Sequence, residues 1–271
     1  MKDKLKEILE LYDHTLDTYN KEIRAAFKPS DFLQYNEILF SAHSCAIEGN
    51  SFTVNDTKEL KEKGISLKLY NRSLLEAYEI LDHFKAYEFL MDNLDKPLTE
   101  DLLLETHKIL TFNTIKFTKG YDPGTYTDTQ MVAGDTIFTD YKIGIPKVPE
   151  LLEETQKAIE GQKNHPVDIA AKCHYYFIYL HPFPDGNGRL GRLISNFILA
   201  KFNHPDIIIT KEQKNAYIDV LKATNKHNDS EVMTCFFAET AVRRMKDEIL
   251  QKSNNSKNTK DKKSNNLNFI F

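Results

Sequence analysis

Apolar positions recur every three to four residues along most of this chain, and that spacing predicts a helical protein. Between residues 3 and 27 they fall at Leu5, Ile8, Leu9, Leu11, Tyr12, Leu16 and Ile23. Lys28-Pro29-Ser30-Asp31 interrupts the pattern, and a second helix is expected over 32–48 with Ser30 or Asp31 as N-cap. Residues 56–93 read as continued helix, with the stripes Leu74, Tyr78, Leu81 and Phe84, Tyr87, Leu90 assigned to the core. Thr99, followed by Glu100 and Asp101, opens another helix reaching about residue 110. A hydroxyl cap and first-turn carboxylates both answer the free N–H groups of a helix start. Further helices are expected over about 149–161, from near Val167 to 180, from Leu193 onwards, over 212–225 with Asn225 as its cap, and over 230–250.

Two stretches depart from this rhythm. Residues 111–146 are rich in Thr, Tyr, Val, Ile and Gly and predict extended turns with a short β-hairpin. Residues 251–265 are dominated by Asn, Ser and Lys without periodicity, which predicts disorder before the apolar 267–271. The expected fold class is therefore all-α with one small hairpin. The expected organisation is an N-terminal helical segment (1–30), one domain (31–250) and a disordered tail (251–271).

Composition narrows the function. The chain of 271 residues is long enough to bury a sizeable core. Its 36 Lys and Arg against 40 Asp and Glu give a net charge of −4, so no global field favours nucleic acid. Cys45, Cys173 and Cys235 sit in apolar helical contexts without C-x-x-C spacing, which argues against a disulfide frame or a zinc site. The charged, amphipathic N-terminus lacks a signal-peptide core, and no apolar run approaches a membrane span. A soluble cytoplasmic protein with neither DNA nor membrane partner is the expectation.

The candidate chemistry lies between two apolar runs, at His181-Pro-Phe-Pro-Asp185-Gly-Asn-Gly-Arg189-Leu-Gly-Arg192. Pro182 disfavours helical geometry at His181, so the preceding helix should end there. Gly186-Asn187-Gly188 permits a sharp turn directly before a new helix, and a helix N-terminus offers free N–H groups to an anion. Arg189 and Arg192 share one helix face, suited to bidentate phosphate contact, while Leu190, Leu193, Ile194 and Phe197 face inward. Asp185 among these cations suits Mg²⁺, which binds through one or two carboxylates plus substrate phosphates. His181, with a side chain that titrates near neutrality, suits a general base. Read blandly, the same string is a helix–turn–helix corner with solvated arginines, but a mere corner needs fewer of these residues at once.

A second place is chemically odd. Glu48 stands at the C-terminal end of the 32–48 helix, where a carboxylate is disfavoured, beside Gly49, a natural helix stop. Ser44 lies one turn before it on the same face. A carboxylate held there calls for a cationic partner elsewhere; the plainer alternative is a surface Glu beside a glycine cap.

The 181–192 string resembles the core motif of the Fic family, H-x-F-x-[DE]-G-N-G-R-x-x-R, at every constrained position. The resemblance implies a Fic-fold helical bundle with a β-hairpin flap and transfer of AMP from Mg²⁺-ATP to a Tyr, Ser or Thr hydroxyl of a protein, the chain itself included. It implies that His181 deprotonates the hydroxyl and Asp185 holds Mg²⁺. The Gly186–Gly188 amides and Asn187 would cradle the phosphates within an ATP-binding stretch that runs on through Arg189, Leu190, Gly191 and Arg192, the two arginines taking the β/γ end. Phe183 would anchor the loop. Gly188 argues against the Doc-like phosphate-transferring branch, which carries lysine there. Ser44 to Gly49 resembles the family's inhibitory motif [ST]-x-x-x-E-[GN], which implies that Glu48 pairs with Arg192 and keeps the enzyme mostly off. Residues 124–134 resemble the flap, with Met131, Val132, Ala133 and Gly134 as the target-docking edge by strand addition. Thr127 stands where the flap usually has arginine. Tyr217 and Asn225 match positions that line the adenine and ribose pocket; from the sequence alone they are a core aromatic and a cap. A homodimer follows by analogy only, and the tail is too short for the winged-helix domain that some relatives carry. Two other functions use the same residues: removal of AMP from a modified protein, and ATP sensing without turnover.

Overall fold

The computed structural model describes residues 2–66, 72–227 and 229–259. Its centre is a pair of helices, α9 (Pro166–Leu180) and α10 (Asn187–Lys201), which pack on each other along their length. The apolar runs flanking the 181–192 loop carry too little polar surface to face water, so both helices are enclosed. Phe177, Phe183, Leu190, Leu193, Phe197 and Ile198 are all buried, each contributing roughly 1.5–3 kcal/mol by leaving water.

The other helices enclose this pair. Helix α8 (Val148–Gly161) covers one side of α9, while α4 (Leu74–Met91) and α5 (Glu100–Thr111) pack together and against α10. Helix α2 (Pro29–Ile47) lies against α3 (Val54–Lys63), α4 and α10, and a small second core of Ile38, Cys45, Phe52, Leu60, Ala77, Ile80 and Phe84 holds it there. Helix α11 (Lys214–His227) packs on α9 and on α12 (Glu231–Thr259), and α1 (Lys2–Glu22) runs beside α12. The Tyr19 hydroxyl donates to Glu248 at 2.6 Å, so the N-terminal helix is tied to the body by a buried bond as well as by its apolar face. Between α5 and α8 lie α6 (Ile115–Lys119), strands β1 (Val132–Ala133) and β2 (Thr136–Ile137), and α7 (Tyr141–Gly144). The strands are antiparallel, Val132 opposite Ile137 and Ala133 opposite Thr136, around a turn with Gly134 at φ 56°. The all-α fold with one hairpin is as expected.

Several boundaries differ. Helix α2 starts at Pro29 with Lys28 as N-cap, so neither Ser30 nor Asp31 caps it; proline at the first helical position comes ready-shaped for a helix start. Residues 56–93 are two helices, since Gly64 ends α3 and capping boxes at Thr53/Asp56 and Ser73/Glu76 start α3 and α4 separately. Leu74 is exposed, because it occupies the first turn of α4, and Ala77 and Ile80 take the core face. The 111–146 region contains two short helices besides the hairpin. Helix α11 continues past Asn225 to His227, and α12 past residue 250 to Thr259, so 251–259 are helical where disorder was expected. Nothing between Glu231 and Thr259 is Gly or Pro, and Lys252 reaches back to Glu22. The 267–271 segment falls outside the described residues.

Candidate active site

Helix α9 ends on His181, which adopts a left-handed conformation (φ 48°, ψ 55°) and closes the helix by donating its N–H to the Phe177 carbonyl at 3.1 Å. The side chain is thereby turned off the helix towards the loop. Its Nδ1 lies 3.3 Å from the Ile178 carbonyl; a carbonyl only accepts, so the proton sits on Nδ1 and the Nε2 lone pair is free. Phe138, just after β2, stacks on the ring at 3.7 Å. Burial pushes the His181 imidazole down to about 4, which keeps it neutral and able to accept a proton.

The loop that follows is braced from within. Asn187 donates Nδ2 to the Phe183 carbonyl at 2.7 Å and accepts the Phe183 N–H at 3.0 Å, so its side chain is spent on the loop and only its backbone is left for a ligand. Gly186, at φ 80°, is the N-cap of α10, and no side chain caps that helix. The first-turn amides of a helix have no intrahelical partners, so this end is an open anion site. Asp185 accepts from the Gly186 N–H at 2.6 Å, and its side chain remains 35% exposed. Leu190 is core, and Gly191 lets α10 approach His174 and Ile178 of α9, so these two members of the expected ATP-binding stretch point away from the opening.

Arg189 and Arg192 do not form the solvated face of the bland corner reading. Both are buried. Arg192 donates Nε to Ser44 Oγ at 3.1 Å and Nη2 to the Ser44 carbonyl at 2.9 Å and Glu48 Oε1 at 2.7 Å. Arg189 lies 3.4 Å from Asp185 and 3.6 Å from Glu79 of α4. The Glu48 carboxylate is where the end of α2 meets the start of α10, close enough that a Cβ on Gly188 would collide with its Oε1. Burial alone would raise the Glu48 carboxyl, but Arg192 holds it below the usual range, so it is an anion. An anion therefore already sits at the N-terminus of α10.

The flap is fastened to this loop. Thr127, in the place of the expected arginine, donates its N–H to the Pro182 carbonyl at 2.9 Å. His107, which no motif singles out, does more. Its Nδ1 accepts the Gly124 N–H at 3.1 Å and its Nε2 meets the Asp185 carbonyl at 3.0 Å, while the ring stacks on Phe183 at 3.7 Å. These bonds require the neutral ring, and burial lowers it to about 4. Only its place in the apolar rhythm of α5 marked it, and that reads as an ordinary core position. Met131 accepts the Phe138 N–H at its carbonyl, and Val132 and Ile137 are 55% and 73% exposed.

A cavity of about 770 Å³ opens between hairpin and helices, lined among others by Ala133, Gly134, Phe138, Tyr179, Leu221 and Asn225. Tyr217 is not in its wall. It is buried, with its hydroxyl 2.8 Å from His174 Nε2 and its ring beside the Arg192 guanidinium, and so backs the arginine. Asn225 does line the cavity. Among the described residues no group of three or more His, Cys, Asp or Glu side chains converges on one point, and no helix is long and apolar enough to cross a membrane.

The model of the Fic/DOC family matches residues 97–199, which hold α5, the flap, α9 and most of α10. A protein from Nematostella vectensis named protein adenylyltransferase Fic is 30% identical over 211 residues, 74% of this chain and 46% of its own length. One of the same name from Culex quinquefasciatus is 30% identical over 194 residues, 68% and 36%. The chain thus spans less than half the length of these curated relatives. A Fic domain containing signaling protein from Bacteroides thetaiotaomicron shares the fold, with a TM-score of 0.75 at 22% identity, over 93% of this chain and 98% of that one. With the motif, the family match and the relatives in agreement, residues 97–199 of this chain are a Fic/DOC family domain.

Proposed function

We propose that the protein is an adenylyltransferase that moves AMP from ATP to a protein hydroxyl, and that Glu48 holds it off. The observation that carries the proposal is the position of Glu48: its carboxylate occupies the open N-terminus of α10 and takes Arg192, next to a neutral histidine whose Nε2 is free. An Arg–carboxylate pair there competes directly with an Arg–phosphate pair.

ATP would lie with its phosphates on the amides of Asn187 and Gly188, the Gly186 amide being held by Asp185, and with Arg189 and Arg192 at the β/γ end. The cavity beside the hairpin has the size and apolar walls for the adenine, with Asn225 as a polar contact. Asp185 fits a magnesium ion held mainly by substrate phosphates: it is a partly exposed carboxylate, with Oδ1 fixed by the Gly186 amide. When bound, Mg²⁺ supplies charge neutralisation on those phosphates. His181 Nε2 takes the proton of the incoming hydroxyl, whose oxygen bonds to the α-phosphorus. The α-phosphorus–oxygen bond to the β-phosphate breaks, and pyrophosphate leaves with both electrons. Catalysis of this kind is chiefly positioning and charge stabilisation. The exposed hairpin edge at Met131–Gly134 lies beside Phe138, which stacks on His181, so a target segment added to that edge would present its hydroxyl to the base.

Incubation of Glu48→Gly with ATP labelled at either the α- or the γ-phosphate tests the reaction type. Protein-bound label from the α position alone supports the proposal; retention of the γ label contradicts it.

A further inference from the structure

The two arginines of the loop differ in what holds them. Arg192 has Ser44 and Glu48, both on or at the end of α2. Arg189 is buried to the same degree, yet its Nε and Nη1 make no hydrogen bond. Its longer-range partners are Asp185, on its own loop, and Glu79, from α4. Burial works against its charge, and Glu79 first, then Asp185, keeps it protonated.

Glu79 has a second engagement. Its Oε2 accepts from Asn50 Nδ2 at 2.9 Å, and the same Nδ2 donates to the Glu76 carbonyl at 2.9 Å. Asn50 is buried, two residues past Glu48, and its Oδ1 accepts the Phe52 N–H. The segment that carries Glu48 is therefore fastened to α4 at the carboxylate that faces Arg189.

We propose that Glu79 is a positioning residue for the nucleotide site: it aims Arg189 at the β/γ-phosphates, and Asn50 fixes Glu79 in that role while rooting the Glu48 segment on α4. The inference rests on the proposed adenylyltransferase reading, since it needs ATP at the loop. Physically, a long guanidinium in an enclosed pocket has several rotamers, and a fixed carboxylate selects one of them. Of the two donors without a hydrogen bond, Nη1 faces Glu79, and Nε is the one left for a phosphate.

The test is nucleotide binding measured by calorimetry with ATP and with AMP, each with Mg²⁺. The proteins are Glu48→Gly and the same protein with Glu79→Gln or Asn50→Ala added. Gln keeps an oxygen acceptor for Asn50 and removes the charge. AMP lacks the β/γ-phosphates, so it reports on the fold and on the rest of the site. Loss of a charge-assisted contact weakens ATP by about tenfold in the Gln variant and by about threefold to tenfold in the Ala variant, with AMP changed less than about twofold. Equal loss of both nucleotides in both variants, or no loss of either, overturns the inference, because a purely structural ion pair behaves in one of those two ways. Failure of Glu48→Gly itself to bind ATP overturns the underlying reading instead, so the two failures are distinct.

Discussion

His181 is neutral because its ring is enclosed beneath Phe138 and its Nδ1 proton is given to a backbone carbonyl. Transfer should therefore keep its rate as pH falls through 6.5 and lose it only on approaching about 4, where the free Nε2 becomes protonated. A pH–rate profile of Glu48→Gly at saturating ATP reads this; an acid limb centred near 6.5 would contradict it. Phe138→Ala opens the ring to water, so the limb should move towards 6.5 and the rate should fall about tenfold or less, since the base remains but its rotamer is no longer fixed. At this scale the sequence was informative wherever chemistry is unusual. Histidine, carboxylate and glycines in twelve residues have few bland uses, and the carboxylate at a helix C-terminus asked for a cation. It was silent where a common residue acts through a distant neighbour. His107 joins Gly124 to Asp185 across the fold, and Tyr217, a core aromatic from the sequence alone and a pocket residue by the resemblance, is buried with its ring beside Arg192.

The last turn of α2 works as one element. Ser44 and Glu48, a turn apart, grip the same guanidinium, and the second core under α2 holds that turn in place. Ser44→Ala removes the acceptor for Arg192 Nε while leaving Glu48 intact. Loss of that one bond, worth about 1 kcal/mol, should raise basal AMP transfer by about fivefold, well short of Glu48→Gly. Unchanged basal transfer in Ser44→Ala would show that Glu48 acts without it. For α4, Ser73→Ala breaks a capping box and should lower unfolding stability by about 1 kcal/mol in denaturant titration while leaving ATP affinity of Glu48→Gly unchanged. Helices were legible because their apolar faces repeat, but their ends depended on caps. Thr99 was readable as a cap of α5, whereas Ser73 was hidden inside a run that looks continuous in composition. The short helices of 115–119 and 141–144 carry too few residues for any periodicity to show.

Across the molecule, the buried histidines set the response to acid. Burial lowers His83, His107, His174, His181 and His204 from 6.5, to about 4 for His107, His181 and His204 and about 3 for His174. Between those values and 6.5 the unfolded chain binds more protons than the folded one. Their contribution is thus fully present above about 6.5 and is lost as pH falls towards 4. Midpoints of urea unfolding taken from pH 7 to pH 4.5 should decline steadily, and a flat profile over that window would contradict this. The same enclosure removes the bland reading of a corner with solvated arginines: α10 lies at the centre of the bundle, and its arginines are buried against Glu48 at the end of α2 and Glu79 of α4. On the proposed function, this enclosed site transfers AMP, with His181 as base, once Glu48 is gone. Labelled AMP incorporation from Mg²⁺-ATP, compared in the wild type, Glu48→Gly and Glu48→Gly with His181→Ala, tests it most directly. Strong labelling is expected in Glu48→Gly alone, with faint labelling in the wild type and none in the double variant. Labelling that survives His181→Ala, or no gain on removing Glu48, would contradict it.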